Sequence, residues 1–188
     1  MLEPEKLRQT LAARERVKLS LEGYVRSAVL LPLLLIDKQE HLLFTRRTNM
    51  VEHHKGQISF PGGRQDAPEN PEQCALRETH EEIGVAPEHV TILGALDDTW
   101  TPTRYVITPF VGFIPYPYDF RWNQAEIDEA LIIPMEKLLH PQRYEENSMS
   151  YEGRDATVPF YYVDEHVIWG ATARMVRQFL ALAYPEPM

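Results

Sequence analysis

Cysteine is almost missing from this chain: Cys74 is the only one in 188 residues, which excludes an internal disulfide and leaves no mark of an oxidising compartment. Long apolar runs are missing as well. The stretch Ala28–Ile36 is only nine residues long and contains Pro32, too short to span a bilayer but suited to a buried strand. Basic charge is in deficit, with 19 Lys and Arg against 28 Asp and Glu, and the net charge of −9 argues against nonspecific binding of DNA or RNA. It does not exclude an anionic small molecule, because a bound cation and a few arginines can invert the field inside a cleft. The N-terminal MLEPEKLRQT is polar and mixed in charge, unlike a secretory signal. Internal repeats, low-complexity tracts and long linkers are absent too. The expected setting is the cytoplasm, with neither nucleic acid nor membrane as a partner.

What is present fits one folded domain over residues 1–188, since 44% hydrophobic and 25% charged residues is an ordinary composition for a packed core. Residues 4–16 suggest a short helix. Ser27–Ile36 and His41–Thr45 read as two strands joined at Asp37–Glu40, followed by a polar loop over Arg47–Lys55 and a short strand Gln57–Phe60 ending at Pro61-Gly62-Gly63. Val90–Leu96, Tyr105–Ile114 and Ile127–Ile133 read as further strands, with a short helix over Met135–Leu139. Met149–Val163 resembles a hairpin turning at Glu152-Gly153, and Ala171–Ala183 a terminal amphipathic helix. Strands interleaved with few helices predict a mixed α+β arrangement, a mixed sheet with helices packed on it. The Pro- and Tyr-rich stretch Ile114–Phe120 is either an ordered loop or an interface of a homodimer.

The most informative segment runs from Gly63 to Gly84, GRQDAPENPEQCALRETHEEIG. Asn70 is a good N-cap, Pro71 suits the first helical position, Gln73 completes a capping-box spacing and Gly84 ends the helix. At about 100° per residue, Ala75, Leu76, Thr79 and Ile83 share one arc and Glu78, Glu81 and Glu82 share another. The helix is therefore expected to bury one side and to present three carboxylates together on a different one. Such an oxygen-rich cluster suits a hard divalent cation completed by water and phosphate oxygens. For three glutamates alone, a solvated acidic face is the simpler account.

The spacing changes that balance. Gly63, five residues, Glu69, seven residues, Arg77-Glu78, two residues, Glu81-Glu82, one residue, Gly84-Val85 resembles the Nudix box at every charged and glycine position. Thr79 departs from the usual aliphatic residue, and it lies on the arc expected to be buried. The resemblance implies an α/β/α sandwich with the box as a loop-helix-loop, and hydrolysis of a nucleoside diphosphate linked to another group. It also implies Mg²⁺ or Mn²⁺ bound by Glu78, Glu81 and Glu82, with the Gly63 carbonyl as a further candidate ligand. Arg77 would hold the carboxylates by pairing with Glu69 or Glu81. The general base would be Glu81, Glu82, or an acid outside the box, Glu126 or Glu129.

Upstream, Leu43-Phe44-Thr45-Arg46-Arg47-Thr48 and His54-Lys55-Gly56-Gln57-Ile58-Ser59-Phe60-Pro61-Gly62-Gly63 resemble the signature of the coenzyme A pyrophosphatase subfamily. Departures are Phe44, Thr48, Val51, Glu52 and Ile58, of which Glu52 alone reverses a charge. Thr108-Pro109-Phe110-Val111-Gly112 and Ile168-Trp169-Gly170-Ala171-Thr172-Ala173-Arg174 are similar too, so the resemblance spans about residues 26–180. It implies cleavage of coenzyme A or its derivatives to 4′-phosphopantetheine and 3′,5′-ADP. Arg46, Arg47, His54, Gln57, Phe60, Gly62 and Gly63 are the implied substrate contacts, with Lys55 and Arg64 as further candidates for the 3′-phosphate. Other Nudix substrates (ADP-ribose, NADH, an oxidised nucleotide) are the alternative. A silent nucleotide sensor is disfavoured, because every box glutamate is present.

Overall fold

The computed structural model describes residues 3–48, 56–151 and 154–185. Helix α1 (Pro4–Ala13) and an extended arm lead into a mixed sheet of β1 (Val25–Ile36), β2 (Gln39–Arg47), β3 (Ile58–Ser59), β4 (Gly62–Arg64), β5 (Thr91–Ala95), β6 (Thr99–Trp100), β7 (Tyr105–Phe113) and β8 (Ile127–Pro134). Helix α2 (Pro71–Ile83) connects β4 to β5, and α3 (Met135–Leu139) follows β8. A second, antiparallel sheet is made by β9 (Tyr144–Tyr151), β10 (Arg154–Val163) and β11 (His166–Trp169), before the terminal helix α4 (Gly170–Ala183).

Strands run in the order β3-β2-β1-β7-β5, with β4 added to β1, β6 to β7 and β8 to β2. Among the described residues only β1 and β7 pair in parallel. Strand β1 reads as a nearly continuous apolar run because both of its faces are covered. Val29, Leu31 and Leu33 join a core with Leu7 and Leu11 of α1, Tyr161 and Ile168 of the small sheet, and Val176 and Phe179 of α4. Ala28, Leu30 and Leu34 point the other way, against Cys74, Ala75 and Ile83 of α2. A fully buried leucine contributes roughly 1.5–3 kcal/mol, so β1 anchors both layers. The sandwich thus carries helix α2 on one face, and on the other the helices α1, α3 and α4 together with a three-stranded sheet.

Two prolines sit within these central strands, where a missing N–H normally breaks a ladder. Along one edge of β1, β4 pairs through Val29 and β2 begins at Leu33. Pro32 falls in the gap between them. Pro109 lies likewise between Ile107, paired with Thr99 of β6, and Phe110, paired with Ala95 of β5. Each proline occupies a handover between two partner strands, so no bond is lost.

The arm after α1 is pinned by consecutive acids. Asp97 accepts from Arg14 and from the Val17 amide, while buried Asp98 accepts from the Leu19 amide at 2.9 Å and the Thr108 hydroxyl at 2.8 Å. The hairpin expected from Met149 begins earlier, at Tyr144, and its turn at Glu152-Gly153 lies outside the described residues. Most of the expected polar loop, residues 49–55, is also outside them, whereas Arg47 closes strand β2. The Ile114–Phe120 stretch packs on its own chain. Ile114 is buried, and the Tyr118 hydroxyl bonds the Ala86 amide and the His89 ring, leaving Tyr116 open.

Candidate active site

Helix α2 has the caps its sequence predicts. The Asn70 side chain accepts from the Gln73 amide and the Gln73 side chain accepts from the Asn70 amide, both at 2.9 Å. Gly84 ends the helix in the left-handed conformation, φ 74°. The face pattern, however, differs from the expectation. Glu82 is not on an open acidic face; it is buried, 3% exposed, beside Ala75, Thr79 and Ile83. Glu82 stands seven residues after Ala75, only roughly 20° away around the helix, so it shares the inward stripe. Leu76 turns out half-buried and Cys74 fully buried. Thr79 donates to the Ala75 carbonyl at 2.6 Å, which satisfies its hydroxyl inside the core.

The three box glutamates therefore form a gradient of burial. The side chain of Glu81 is 53% exposed and that of Glu78 16% exposed, with Glu82 deepest. Arg77 organises the outer part. It donates Nε and Nη2 to the two oxygens of Glu69 at 3.0 and 2.8 Å, and Nη1 to Glu78 at 2.9 Å and Glu81 at 3.0 Å. It also donates to the Arg64 carbonyl at 3.1 Å, tying α2 to strand β4. Only a planar fork with five donors meets so many acceptors at once. Paired this way, chiefly by Arg77, the Glu69 carboxyl is held down at about 2, and the arginine is driven above its ordinary range by Glu69 first.

Strand β4 brings the chain against these acids. The Gly62 amide donates to Glu82 at 3.2 Å. At Gly63 a Cβ would lie 2.4–2.6 Å from the Glu78 carboxylate atoms, so glycine is what lets that carboxylate rest on the backbone. The Cys74 thiol donates to the Gly63 carbonyl at 3.5 Å and is pushed up to about 12 by burial, a passive group. Burial pushes the Glu82 carboxyl up to about 8, against the pull of Arg47, and raises Glu78 as well. Glu126 contributes to both upward shifts, so of the two acids outside the box it is the one near the site. Glu129 instead pairs with Arg46 at 3.0 Å.

No three His, Cys, Asp or Glu side chains among the described residues converge on one metal-sized point. Glu78 and Glu81 both accept from Arg77, while Glu78 also lies against the Gly63 backbone and Glu82 accepts from the Gly62 amide. Glu82, buried with one amide donor and with Arg47 as its nearby positive charge, and Glu78 offer carboxylate oxygens that fit a hard cation keeping most of its waters.

A cleft of about 610 Å³ opens beside the glycines, lined by Arg47, Gln57, Ser59, Phe60, Gly62, Gly63 and Arg64, and farther on by Thr101, Thr103, Tyr105, Ala171 and Thr172. Of the substrate contacts expected from sequence, Arg47, Gln57, Phe60, Gly62 and Gly63 are brought together here. Phe60 is held by stacking on Phe44, ring centres 4.6 Å apart. Arg46 is not brought in; its guanidinium binds Asp128 and Glu129. The register of β2 against β8 shifts between Arg46 and Arg47, a bulge that sends the two side chains to different surroundings. His54 and Lys55 lie outside the described residues. Sequence reasoning missed Thr101, Thr103 and Tyr105, whose only signal is a Thr-Pro-Thr turn.

The NUDIX domain family model matches residues 26–152, and the chain belongs to this family. It is a pyrophosphohydrolase of the Nudix hydrolase class, whose members use divalent metal ions. Among curated relatives, the Nudix hydrolase NudL of Photorhabdus laumondii is 35% identical over 153 residues, 81% of each chain. NudL of Escherichia coli K12 is 31% identical over 179 residues, covering 95% of this chain and 87% of that protein. The fold is also that of a Nudix hydrolase from M. smegmatis, RenU (TM-score 0.53, 22% identity, 64% of this chain and 87% of that one). A C. elegans Ap4A hydrolase shares it as well (TM-score 0.52, 20% identity, 61% and 83%). No helix among the described residues is long and apolar enough to cross a membrane.

Proposed function

We propose that this protein hydrolyses the diphosphate of coenzyme A or its derivatives in the cytoplasm, giving 4′-phosphopantetheine and 3′,5′-ADP, with Mg²⁺ or Mn²⁺ as cofactor. The observation that carries the reading is the meeting of two sequence segments in one cleft. Arg47, Gln57 and Phe60, from the part that resembles the coenzyme A pyrophosphatases, line the same wall as Gly62 and Gly63, which rest on the box glutamates. In a protein of net charge −9, the described residues lining this cleft include two arginines and no acid. That suits a multiply anionic substrate.

Glu78, Glu82 and the Gly63 carbonyl would hold the cation, which when bound neutralises the diphosphate and acidifies a water. The protein's own residues do the rest. Arg77 fixes Glu78 and Glu81 against Glu69, so the donors need no reorganisation when substrate enters. Arg47 supplies positive charge beside Glu82 on the cleft wall. Glu126, near enough to Glu78 and Glu82 to act on both and accepting from Asn123 at 3.2 Å, would take a proton from the attacking water.

The test is a panel of coenzyme A, ADP-ribose, NADH and 8-oxo-dGTP with products identified by mass spectrometry. Release of 3′,5′-ADP from coenzyme A is expected, and preferential cleavage of ADP-ribose overturns the reading. For the acids, Glu82→Gln is expected to lower Mg²⁺-dependent turnover by more than tenfold, and a smaller loss removes Glu82 from the metal site.

A further inference from the structure

The cleft does not end at the glycines. Its far wall is the first turn of α4, where Ala171 and Thr172 line the opening. Helix α4 is 14 residues long, and its N-cap position, Trp169, makes no side-chain capping bond. The amides of its first turn have no acceptor within the helix and carry the positive end of its dipole. Thr172 is the second observation, and it is independent of the dipole. It is 8% exposed, yet among the described residues its hydroxyl has no hydrogen-bond partner, and what remains open of it faces the cleft. A hydroxyl on so deeply buried a residue normally finds a partner, and in the first turn of α4 Thr172 has no preceding helical turn to bond back to, unlike Thr79 in mid-helix. Across the opening, Arg64 is exposed, and its guanidinium makes no hydrogen bond or ion pair among the described residues. A partnerless donor, uncapped amides and an uncommitted guanidinium around acid-free space ask for an anion.

We propose that the first turn of α4, with the Thr172 hydroxyl and Arg64, is a subsite for a second anionic group of the substrate, a phosphomonoester attached beyond the diphosphate that is cut. The inference rests on the coenzyme A reading, in which that group is the 3′-phosphate of the adenosine. It assigns the choice between phosphorylated and unphosphorylated ribose to residues outside the acidic helix and outside the segment before it. The phosphate oxygens accept from the Thr172 hydroxyl and from α4 amides, and Arg64 closes over them from β4.

The test compares kcat/KM for coenzyme A and for 3′-dephospho-coenzyme A, together with calorimetric binding of adenosine 3′,5′-bisphosphate and AMP in metal-free buffer. The wild type is expected to prefer the 3′-phosphorylated member of each pair by tenfold or more. Thr172→Val, which keeps shape and removes the hydroxyl, is expected to cut both preferences to threefold or less, and Thr172→Ser to keep them. Ala171→Asp adds a carboxylate that suits a helix N-terminus but repels a phosphate, so it is expected to abolish the preferences while the protein remains folded. Cleavage of both coenzymes without preference overturns the subsite and leaves the coenzyme A reading standing. A wild-type preference that survives both Thr172→Val and Ala171→Asp places the phosphate elsewhere and also overturns it. Cleavage of neither coenzyme overturns the reading itself, and the subsite falls with it.

Discussion

Adjacent glycines in β4 are expected to fail in opposite ways when a methyl group is added. At Gly63 the new Cβ would lie 2.4 Å from the Glu78 Cδ, and ordinary contact begins near 3.4 Å, so the carboxylate must retreat by about 1 Å. The group that gives way is the free end of a side chain, so the fold is spared. Stability should change by less than about 1 kcal/mol, because Gly→Ala also restricts the unfolded chain. Displacing a catalytic donor by about 1 Å costs on the order of a hundredfold in rate, equivalent to about 2.7 kcal/mol of barrier. At Gly62, by contrast, φ is 155° and the Cβ would meet the Ala28 carbonyl oxygen at 2.4 Å and the Val29 Cα at 2.6 Å, both in the backbone of β1. Neither can move without the central strand, so Gly62→Ala is expected to cost about 3 kcal/mol or more in stability. Thermal unfolding and Mg²⁺-dependent release of 3′,5′-ADP separate the two losses. A Gly63→Ala protein that keeps more than a third of wild-type turnover refutes the argument, as does one that melts as early as Gly62→Ala.

Other expectations follow from the same geometry. Arg77→Lys keeps the charge but not the fork, and should lower turnover more than tenfold while costing about 1–2 kcal/mol in urea unfolding. Glu69, ordinarily near 4.5 and held at about 2, gives stability that is complete above pH 4.5 and lost as pH falls through about 2. The difference in urea midpoint between wild type and Glu69→Gln should therefore be large at pH 7 and vanish near pH 2. Glu82 has the opposite sign: with its carboxyl raised to about 8, the metal-free protein should lose stability as pH rises from 4.5 to 8. In EDTA at pH 8, Glu82→Gln should then melt at a higher temperature than wild type, and Mg²⁺ should stabilise only the wild type. Asp98→Ala removes the acceptor for the Leu19 amide and the Thr108 hydroxyl, and should expose Arg16 and Lys18 to trypsin at rates at least tenfold above wild type.

The box helix was legible because its start, stop and charge spacing are local properties: Asn70, Gln73 and Gly84 act within one turn of where they stand. The depth of Glu82 was less so, because chemistry argued for an exposed acid while its seven-residue offset from Ala75 placed it on the packed stripe. Strand β4 carries no strand propensity in Gly62-Gly63-Arg64; it pairs only because Ala28 and Val29 present an open edge, a long-range fact. Arg46 and Arg47 are equal as sequence and opposite as structure, since β2 places one beside the acids of β8 and the other in the cleft. The small sheet over α4 was half-visible, its outer strand Tyr144–Tyr151 too polar to signal itself.

Pro32 marks the point where β1 passes from one partner to another, and its consequence is kinetic. The glycine loop is not suspended from the sheet as an appendage. It is laced into the strand that both cores share, through Gly62 and Gly63 opposite Val29 and Ala28 and through the Leu30 amide on the Pro61 carbonyl at 2.9 Å. Its amide protons should accordingly exchange with solvent only when the whole molecule opens, at the pace of Leu31 and not of a surface turn. A site built this way meets its substrate already assembled, and it surrenders its shape only with the fold.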